Sequence, residues 1–224
     1  MNKLNMVFQI VIMVLPWKLR RFLLQQVLGF EIHPTAHIGK SILMPKKLIM
    51  GENSSIGSGN YAHGLEEIRL DNNAKIGNLN WISGYPLGEN QYFSKFPNRY
   101  PQLHLHEHAI IVNRNIIDCT DRFVLHEFAA LAGNRSQILT HSVDLSTMKQ
   151  SCKPIIIGKY SFIGGGSMML KGCDLADYCI VSAGSVVGKA QRESYKLLVG
   201  SPATVVRDVS PRLVFFRRLK GDTD

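Results

Sequence analysis

Residues 157–187 read IGKYSFIGGGSMMLKGCDLADYCIVSAGSVV and repeat one pattern every six positions. An apolar residue begins each unit, at Ile157, Ile163, Met169, Leu175, Val181 and Val187. A small residue follows four positions later in the first five units, at Ser161, Ser167, Cys173, Cys179 and Ser185. Self-similarity at a fixed short period predicts a repeat architecture, in which each unit supplies one short strand and one corner.

The six-residue period also predicts how the chain coils. Each unit forms one side of a triangular coil, so three units of about 18 residues close one turn. The apolar residue points inward, and the small residue fits the corner where the interior narrows. Successive coils then hydrogen-bond about 4.8 Å apart, as neighbouring strands do. The predicted fold class is an all-β solenoid, a parallel β-helix of hexapeptide repeats.

The same period begins at Ile32 and is interrupted twice, over residues 85–103 and 142–154. The first interruption is rich in Pro, Asn and Tyr, which indicates a loop expelled from a coil. We therefore predict a β-helix domain over residues 30–208 with loops at 85–103 and 142–154. A helical segment over 1–29 precedes this domain, and a basic tail or short helix over 209–224 follows it.

The N-terminal segment combines an apolar run, residues 4–15, with a second amphipathic stretch from Trp17 to Leu28. The run is shorter than the roughly 20 residues that span a bilayer. Basic residues follow it, at Lys18, Arg20 and Arg21, whereas a secretory signal places them first. Two roles stay open: a cap on the first coil, and a basic amphipathic helix on a membrane surface.

Composition restricts the partners of the chain. The net charge of +9 favours anionic partners such as phosphorylated cofactors or phospholipid surfaces. The basic residues form no nucleic-acid-binding motif, so we expect no nucleic-acid partner. The four cysteines include no C-x-x-C pair, and Cys173 and Cys179 occupy small-residue positions of the repeat. We interpret both as structural, and nothing in the cysteine pattern requires an oxidising compartment.

One histidine is a candidate catalytic base. His141 lies in ILTHSVD, where a coil gives way to the second predicted loop. An imidazole titrates near neutral pH and suits general-base catalysis. Asp144, three residues later, is expected to orient it. A surface histidine without a catalytic role is the alternative.

Other histidines raise the question of a metal. His108 and His126 are 18 residues apart, so we expect them to stack on consecutive coils and to line a cleft or bind substrate hydroxyls. A β-helix carbonic anhydrase would place two of its three zinc-binding histidines five residues apart. His104, His106 and His108 are instead spaced by two. We therefore expect no metal.

Two stretches resemble a known family. The run PIIIGKYSFIGGGSMMLKGCDLADYCIVSAGSVVGKA, followed by VGSPATVVRDV, resembles the C-terminal signature of left-handed β-helix acyltransferases. Upstream, AGNRSQILTHSVD resembles the active-site segment of sugar O-acetyltransferases of polysaccharide biosynthesis. The resemblance covers residues 30–208 and is most specific over 153–208. It implies a left-handed coil, a homotrimer, and sites in the clefts between chains.

The resemblance also implies roles for individual residues. His141 matches the catalytic histidine, and Gly165 matches the position whose backbone N–H binds the oxyanion. The remaining matches concern acetyl-CoA. Phe162 replaces the usual Trp beside Gly164, the pantetheine arm lies along Ala183, Gly184 and Ser185, and Lys189 and Arg207 match basic positions near the nucleotide phosphates.

The expected function is therefore an acetyl-CoA-dependent O-acetyltransferase with a histidine base and direct attack. Its acceptor would be a sugar hydroxyl of a surface polysaccharide or of a lipid-linked precursor. An amino-sugar N-acetyltransferase and a non-catalytic β-helix scaffold are the alternatives. The expected location is the cytoplasm, including peripheral contact with the inner face of the membrane.

Overall fold

The computed structural model of the chain describes residues 3–88 and 91–221, apart from the side chain of Gln91. The parts of the predicted segments that fall on residues 1–2, 89–90 and 222–224 lie outside the described residues. The chain begins with two helices, α1 (Lys3–Ile12) and α2 (Trp17–Leu28). Gly29 ends α2 in the left-handed conformation, with φ 67°, which a residue without a Cβ adopts readily.

The rest of the chain winds into a three-faced parallel β-helix, in which each face is a parallel sheet. The first face contains Glu31–Ile32, Lys47–Met50, Glu67–Leu70, Gln102–Leu105, Phe123–Leu125 and Ile155–Ile157. The second contains His37–Ile38, Ser55–Ile56, Lys75–Ile76, Ile110–Ile111, Ala130–Leu131, Phe162–Ile163, Ile180–Val181 and Lys196–Gly200, with Ala203–Asp208 antiparallel at its edge. The third contains Ile42–Met44, Tyr61–His63, Trp81–Ser83, Ile116–Asp118, Gln137–Leu139, Met168–Leu170 and Val186–Val187. We call the corners that follow these faces the first, second and third corners.

The hexapeptide pattern coincides with the core. All six apolar repeat positions between Ile157 and Val187 are at most 3% exposed. The small residues that accompany them, from Ser161 to Ser185, are at most 1% exposed. The predicted solenoid and the role of its repeat are thus confirmed.

Most early coils are longer than predicted, because the strands of the first face carry two inward residues. Phe123 and Leu125, for example, are both fully buried. The strand register pairs Leu105 with Leu125, a step of 20 residues. A coil of 18 residues, as predicted, occurs where Ile157 bridges to Leu175. The prediction of a uniform 18-residue coil is therefore wrong for the middle of the chain.

The two interruptions have structures of their own. Residues 84–88 and 91–101 lie outside the coil at the third corner and include a short 3₁₀ helix, Gln91–Phe93. Gln102 and Leu103, which the sequence assigned to this loop, belong instead to a strand of the first face. The second interruption is an antiparallel β-hairpin of His141–Asp144 and Lys149–Cys152 rather than an irregular loop. After the solenoid, the predicted terminal helix is only a 3₁₀ turn, Val214–Arg217.

Side chains of the N-terminal helices form hydrogen bonds with backbone groups at the open edge of the first coil. Gln9 donates to the carbonyl of Leu43 at 2.8 Å and accepts from its N–H at 2.9 Å. Trp17 donates from Nε1 to the carbonyl of Ala36 at 3.1 Å. Arg20 donates to the carbonyl of Ile38 and, at 2.9 Å, to that of Gly39. The helices therefore cap the β-helix, as one of the two predicted roles requires.

The outer sides of the same helices are apolar and exposed. In α1, Leu4 is 73% exposed and Val11 64%; in α2, Phe22 is 56% exposed. Within the described part of the chain, no helix combines the length and apolarity needed to cross a bilayer.

Candidate active site

His141 lies at the third corner, where the hairpin leaves the β-helix, and its partner comes from the preceding coil. The Nδ1 atom of His141 lies 2.8 Å from Oδ2 of Asp118. Asp118 ends the third-face strand directly beneath, which the register pairs with Gln137–Leu139. The backbone N–H of His141 donates to the same Oδ2 at 3.0 Å.

Asp118 is held by donors on both carboxylate oxygens. Oδ1 accepts from the Thr120 hydroxyl at 2.6 Å, and Oδ2 accepts from the Thr140 hydroxyl at 2.8 Å. Burial by itself raises the pKa of Asp118, but the hydrogen bonds from His141 and Thr120 outweigh it and lower this pKa below its ordinary value. Asp118 is therefore a carboxylate at neutral pH.

The ionised carboxylate fixes the tautomer of His141. Nδ1 carries the proton that Asp118 accepts, so Nε2 offers a lone pair. Nε2 has no hydrogen-bond partner among the residues that the structure describes. The His141 side chain is 28% exposed, so Nε2 can receive a proton from a bound molecule.

The loop over residues 84–101 packs against the His141 ring. Tyr85 and Phe93 approach it edge-on, with centroids 5.7 and 6.1 Å away. Arg99 holds the loop by donating to the carbonyls of Tyr85 at 2.6 Å, Pro86 at 2.9 Å and Thr120 at 3.2 Å. Arg99, near the end of the loop, is thus hydrogen-bonded both to the beginning of the loop at Tyr85 and Pro86 and to Thr120 beside Asp118.

Asp144, which the sequence assigned to orient His141, does not do so. It lies at the end of the first hairpin strand, fully exposed, and accepts from the Ser146 hydroxyl at 2.6 Å. The prediction was wrong because the hairpin carries Asp144 away from the coil, whereas coil stacking brings Asp118 up from below.

Gly165, the predicted oxyanion donor, lies at the second corner rather than at the third. Gly133 lies at the same corner one coil earlier. A Cβ added to Gly165 would come within 3.1 Å of the Cα atom of Gly133. The N–H of Gly165 has no acceptor among the described residues, while its carbonyl accepts from Gly184 at 3.0 Å. One strand of the third face separates Gly165 from the corner of His141.

The residues predicted to bind acetyl-CoA are spread along the C-terminal coils. Ala183 and Gly184 are exposed at the second corner, one coil beyond the buried Gly164. Ser185 is buried, and its Oγ accepts from the N–H of Gly200, so its side chain faces the interior and not a groove. Phe162 is half-buried on the second face, where Phe215 of the C-terminal segment contacts it edge-on at 5.5 Å. Both basic residues are exposed, Lys189 at the third corner and Arg207 on the strand at the edge of the second face.

His108 and His126 lie at the first corner and do not stack on each other. The 20-residue coil pairs His106 with His126, whose rings are parallel at 4.8 Å, and His108 with Phe128 at 4.6 Å. The predicted His108–His126 stack was wrong because it assumed an 18-residue coil. Within one chain, neither residue shares a corner with His141.

A cluster that the histidine spacing did not reveal lies beside His106. Asp71 Oδ2 is 3.1 Å from His104 Nε2 and 3.3 Å from His106 Nδ1. Burial lowers the pKa of His106, and the neighbouring His104 and His126 lower it further. Asp71 is 33 residues from His104, and the coil that carries the 84–101 loop brings them together.

The cysteines are buried, in agreement with a structural role. Cys119, Cys173 and Cys179 are fully buried, and Cys152 is 2% exposed. Burial raises the pKa of Cys152 to about 11 and that of Cys173 to about 12. None of the four is therefore prepared to act as a nucleophile.

Comparisons with known proteins place the fold. No protein-family model matches the sequence, and curated protein sequences give no match. Among solved structures, the polysialic acid O-acetyltransferase OatWY superposes with a TM-score of 0.59 at 16% identity, covering 82% of this chain and 87% of that one. A mutant of AntD, an N-acyltransferase from Bacillus cereus in complex with dTDP-4-amino-4,6-dideoxyglucose and coenzyme A, gives 0.53 at 14% identity, covering 88% and 93%. The polySia-specific acetyltransferase NeuO gives 0.50 at 16% identity, covering 80% and 81%.

At these identities the likeness is one of fold. The parallel faces and triangular coils of the chain agree with it throughout the described residues. The chain therefore has the fold of the hexapeptide-repeat acetyltransferases, the left-handed parallel β-helix.

Proposed function

We propose that the protein is an acetyl-CoA-dependent O-acetyltransferase that acts on a sugar hydroxyl of a surface polysaccharide or of its lipid-linked precursor. The observation that carries the proposal is the His141–Asp118 pair, a partly exposed imidazole whose Nδ1 is 2.8 Å from a buried carboxylate. This arrangement is the one that a general base requires.

The reaction follows from the free Nε2 atom. Nε2 removes the proton of the acceptor hydroxyl as its oxygen attacks the thioester carbonyl of acetyl-CoA. A backbone N–H stabilises the oxyanion of the tetrahedral intermediate. The carbon–sulfur bond then breaks, and the coenzyme A thiolate takes the proton back from His141. The buried cysteines agree with direct attack, because no acyl-cysteine has to form.

The oxyanion donor and the base would come from different chains. Gly165 has an unused N–H at the second corner, whereas His141 lies at the third. In the homotrimer of parallel β-helices that we propose, the second corner of one chain would meet the third corner of the next. The proposed groove between chains would hold the pantetheine arm against Ala183 and Gly184.

Charge supports an acyl donor with phosphates. The chain carries a net charge of +9, and Lys189 and Arg207 are exposed near the C-terminal end of the β-helix. We assign these two side chains to the nucleotide phosphates of acetyl-CoA. The complex of AntD with coenzyme A and a sugar nucleotide supports the same pair of ligands.

The likeness to OatWY, an O-acetyltransferase, favours a hydroxyl acceptor. The likeness to AntD keeps an amino-sugar acceptor as a second candidate, because AntD is an N-acyltransferase. Paired acceptors that differ only in a hydroxyl or an amine at one carbon distinguish the two. A non-catalytic scaffold would transfer acetyl to neither.

We further propose that the protein works at the inner face of the membrane. The apolar outer sides of α1 and α2 lie beside basic residues at Lys3, Lys18 and Arg21, a combination suited to an anionic lipid surface. Binding to vesicles with anionic lipid, and not to neutral vesicles, is the expected result. Equal sedimentation with both, or with neither, would contradict the membrane role.

The test of the reaction follows the release of free thiol from acetyl-CoA. Wild type should release thiol slowly with water and faster with the correct saccharide. His141→Ala should lose roughly 10²–10⁴-fold of this activity, and the exposed Asp144→Asn should keep it as the matched control. A His141→Ala variant that is folded and fully active would refute the proposed base.

A mixing experiment tests the site between chains. His141→Ala and Ala183→Trp each disable one side of the proposed groove, and Ala183 is exposed, so the tryptophan should leave the fold intact. Co-expression of the two variants should restore part of the activity, since some interfaces then combine both intact sides. If each chain contained a complete site, mixing would restore nothing.

A further inference from the structure

The end of the first face and the first corner together carry a group of side chains that the proposed reaction does not use. Asp71 contributes from one coil, and His104 and His106 contribute from the next. Their nearest ligand atoms all lie within 4.8 Å of one another. The three side chains are 26%, 17% and 27% exposed, so they are partly shielded but accessible.

Two of the three distances between the ligand atoms match those around a small metal ion. Ligand atoms at the corners of a tetrahedron around Zn²⁺, with bonds of about 2.0–2.1 Å, lie about 3.3 Å apart. Asp71 Oδ2 is 3.1 Å from His104 Nε2 and 3.3 Å from His106 Nδ1. Two imidazoles and a carboxylate are the ligand types that Zn²⁺ accepts.

Neighbouring groups hold the ligands in this orientation. Arg69 Nε donates to Oδ1 of Asp71 at 2.9 Å and leaves Oδ2 directed at the histidines. The His126 ring stacks on His106 at 4.8 Å and restricts its rotation. Such outer contacts orient the ligands in known metal sites.

The surface beside the cluster is concave. A shallow cavity of about 380 Å³ is lined by Asp71, His106 and Glu127, among others. Oε2 of Glu127 lies at this surface, shielded from solvent, and Nδ1 of His126 is 3.7 Å away from it. The cavity is large enough to admit water or another small ligand beside Asp71 and His106.

From this geometry we infer that Asp71, His104 and His106 bind one divalent transition-metal ion, Zn²⁺ in particular, at the first corner. The ion joins the two coils on either side of the 84–101 loop, where the β-helix is interrupted. It is separate from the His141–Asp118 pair, which lies at the third corner of the same chain. The inference replaces the expectation of no metal, which considered only the spacing of the histidines in sequence.

The test measures metal binding directly. Protein treated with EDTA and dialysed is titrated with Zn²⁺ by calorimetry, and with Co²⁺ by visible absorption, which reports nitrogen and oxygen coordination. We expect one ion per chain and a higher melting temperature with Zn²⁺, because an ion that binds only the folded state stabilises it. Asp71→Asn and His104→Gln should each weaken binding by roughly 100-fold or more, beyond the range typical of an outer-sphere partner.

His33→Gln is the matched control, since His33 is exposed at the same corner of an earlier coil and, among the described residues, its side chain hydrogen-bonds only to Thr35. It should bind Zn²⁺ as wild type does. Failure of Zn²⁺ to bind wild type, or equal binding to a folded Asp71→Asn, His104→Gln double variant, would overturn the inference. Circular dichroism without metal establishes that each variant is folded.

Discussion

His141 Nδ1 lies 2.8 Å from Asp118 Oδ2, although 23 residues separate the two in sequence. The contact exists because the third-face strand that ends at Asp118 stacks directly on the strand that ends at Leu139. Thr120 and Thr140 donate to the same carboxylate from the turns that follow these strands. A rigid solenoid thus holds the pair in position without help from the exposed hairpin.

Replacing Asp118 by Asn should slow acetyl transfer by roughly 10²–10⁴-fold, because the amide no longer fixes the Nδ1–H tautomer or stabilises the imidazolium. The Michaelis constant for acetyl-CoA should change little, since the Asp118 side chain is buried behind His141. The pH profile of kcat should also shift, a change that a purely structural role would not produce. Steady-state kinetics of Asp118→Asn beside Asp144→Asn provide the comparison; equal rates would place the orienting group elsewhere.

Stability should depend on the ionisation of Asp118 in acid. Its pKa is below the ordinary value of 3.8, so the folded state favours the carboxylate. The resulting stabilisation is fully present above the ordinary pKa and is lost as the pH falls through the lowered one. Urea unfolding at about pH 6 and about pH 3 should show a smaller pH-dependent loss for Asp118→Asn than for wild type. Parallel losses in the two proteins would contradict the assignment.

Arg99→Met should release the 84–101 loop from His141. The substitution leaves the carbonyls of Tyr85, Pro86 and Thr120 without their donor, at a cost of about 1–3 kcal/mol for each group that stays buried. Hydrogen exchange of residues 92–101 should accelerate, and transfer should slow because Tyr85 and Phe93 no longer pack on the imidazole. Lys95→Met, an exposed change in the same loop, should alter neither measurement.

The cysteines should resist alkylation in the native protein. Burial raises the pKa of all four thiols, to about 11 for Cys152 and about 12 for Cys173, so little thiolate forms at about pH 8. Iodoacetamide should leave native protein unlabelled and active, whereas protein in urea should take up four labels, one for each cysteine. Inactivation by labelling of a native cysteine would argue against direct attack.

Gln9→Met tests the cap on the first coil. The substitution removes the partner of the Leu43 N–H and carbonyl, and a buried group left unpaired costs about 1–3 kcal/mol. Chemical denaturation should show this loss. Gln26→Met, on the exposed side of α2, should stay within about 0.5 kcal/mol of wild type.

The repeat was readable from the sequence because burial in a solenoid is periodic. Each apolar residue from Ile157 to Val187 faces the same narrow interior, so the chain repeats one requirement at a fixed interval. Coil length was not readable in the same way. In the first face two apolar residues point inward, such as Phe123 and Leu125. In the sequence, this extra apolar residue looks the same as a shift in the starting point of the six-residue repeat.

The error in the predicted coil length explains why the sequence did not reveal the contacts of His141 and of His106 with residues of neighbouring coils. His141 was identified from its local segment, but its partner depends on which residue lies one coil below. The 20-residue step also pairs His106 with His126. His104 follows Asp71 by 33 positions, and this interval includes an expelled loop whose length the repeat does not predict. Contacts between coils can be derived only after the register is known.

The capping of Leu43 by Gln9 has a consequence for association. A parallel β-helix grows by adding strands to its ends, and an open end can pair with another chain as readily as with its own. The amide of Gln9, together with Trp17 and Arg20, occupies the groups that such a strand would need. The N-terminal helices therefore occupy the end of the sheet at which a strand of a second chain would otherwise add.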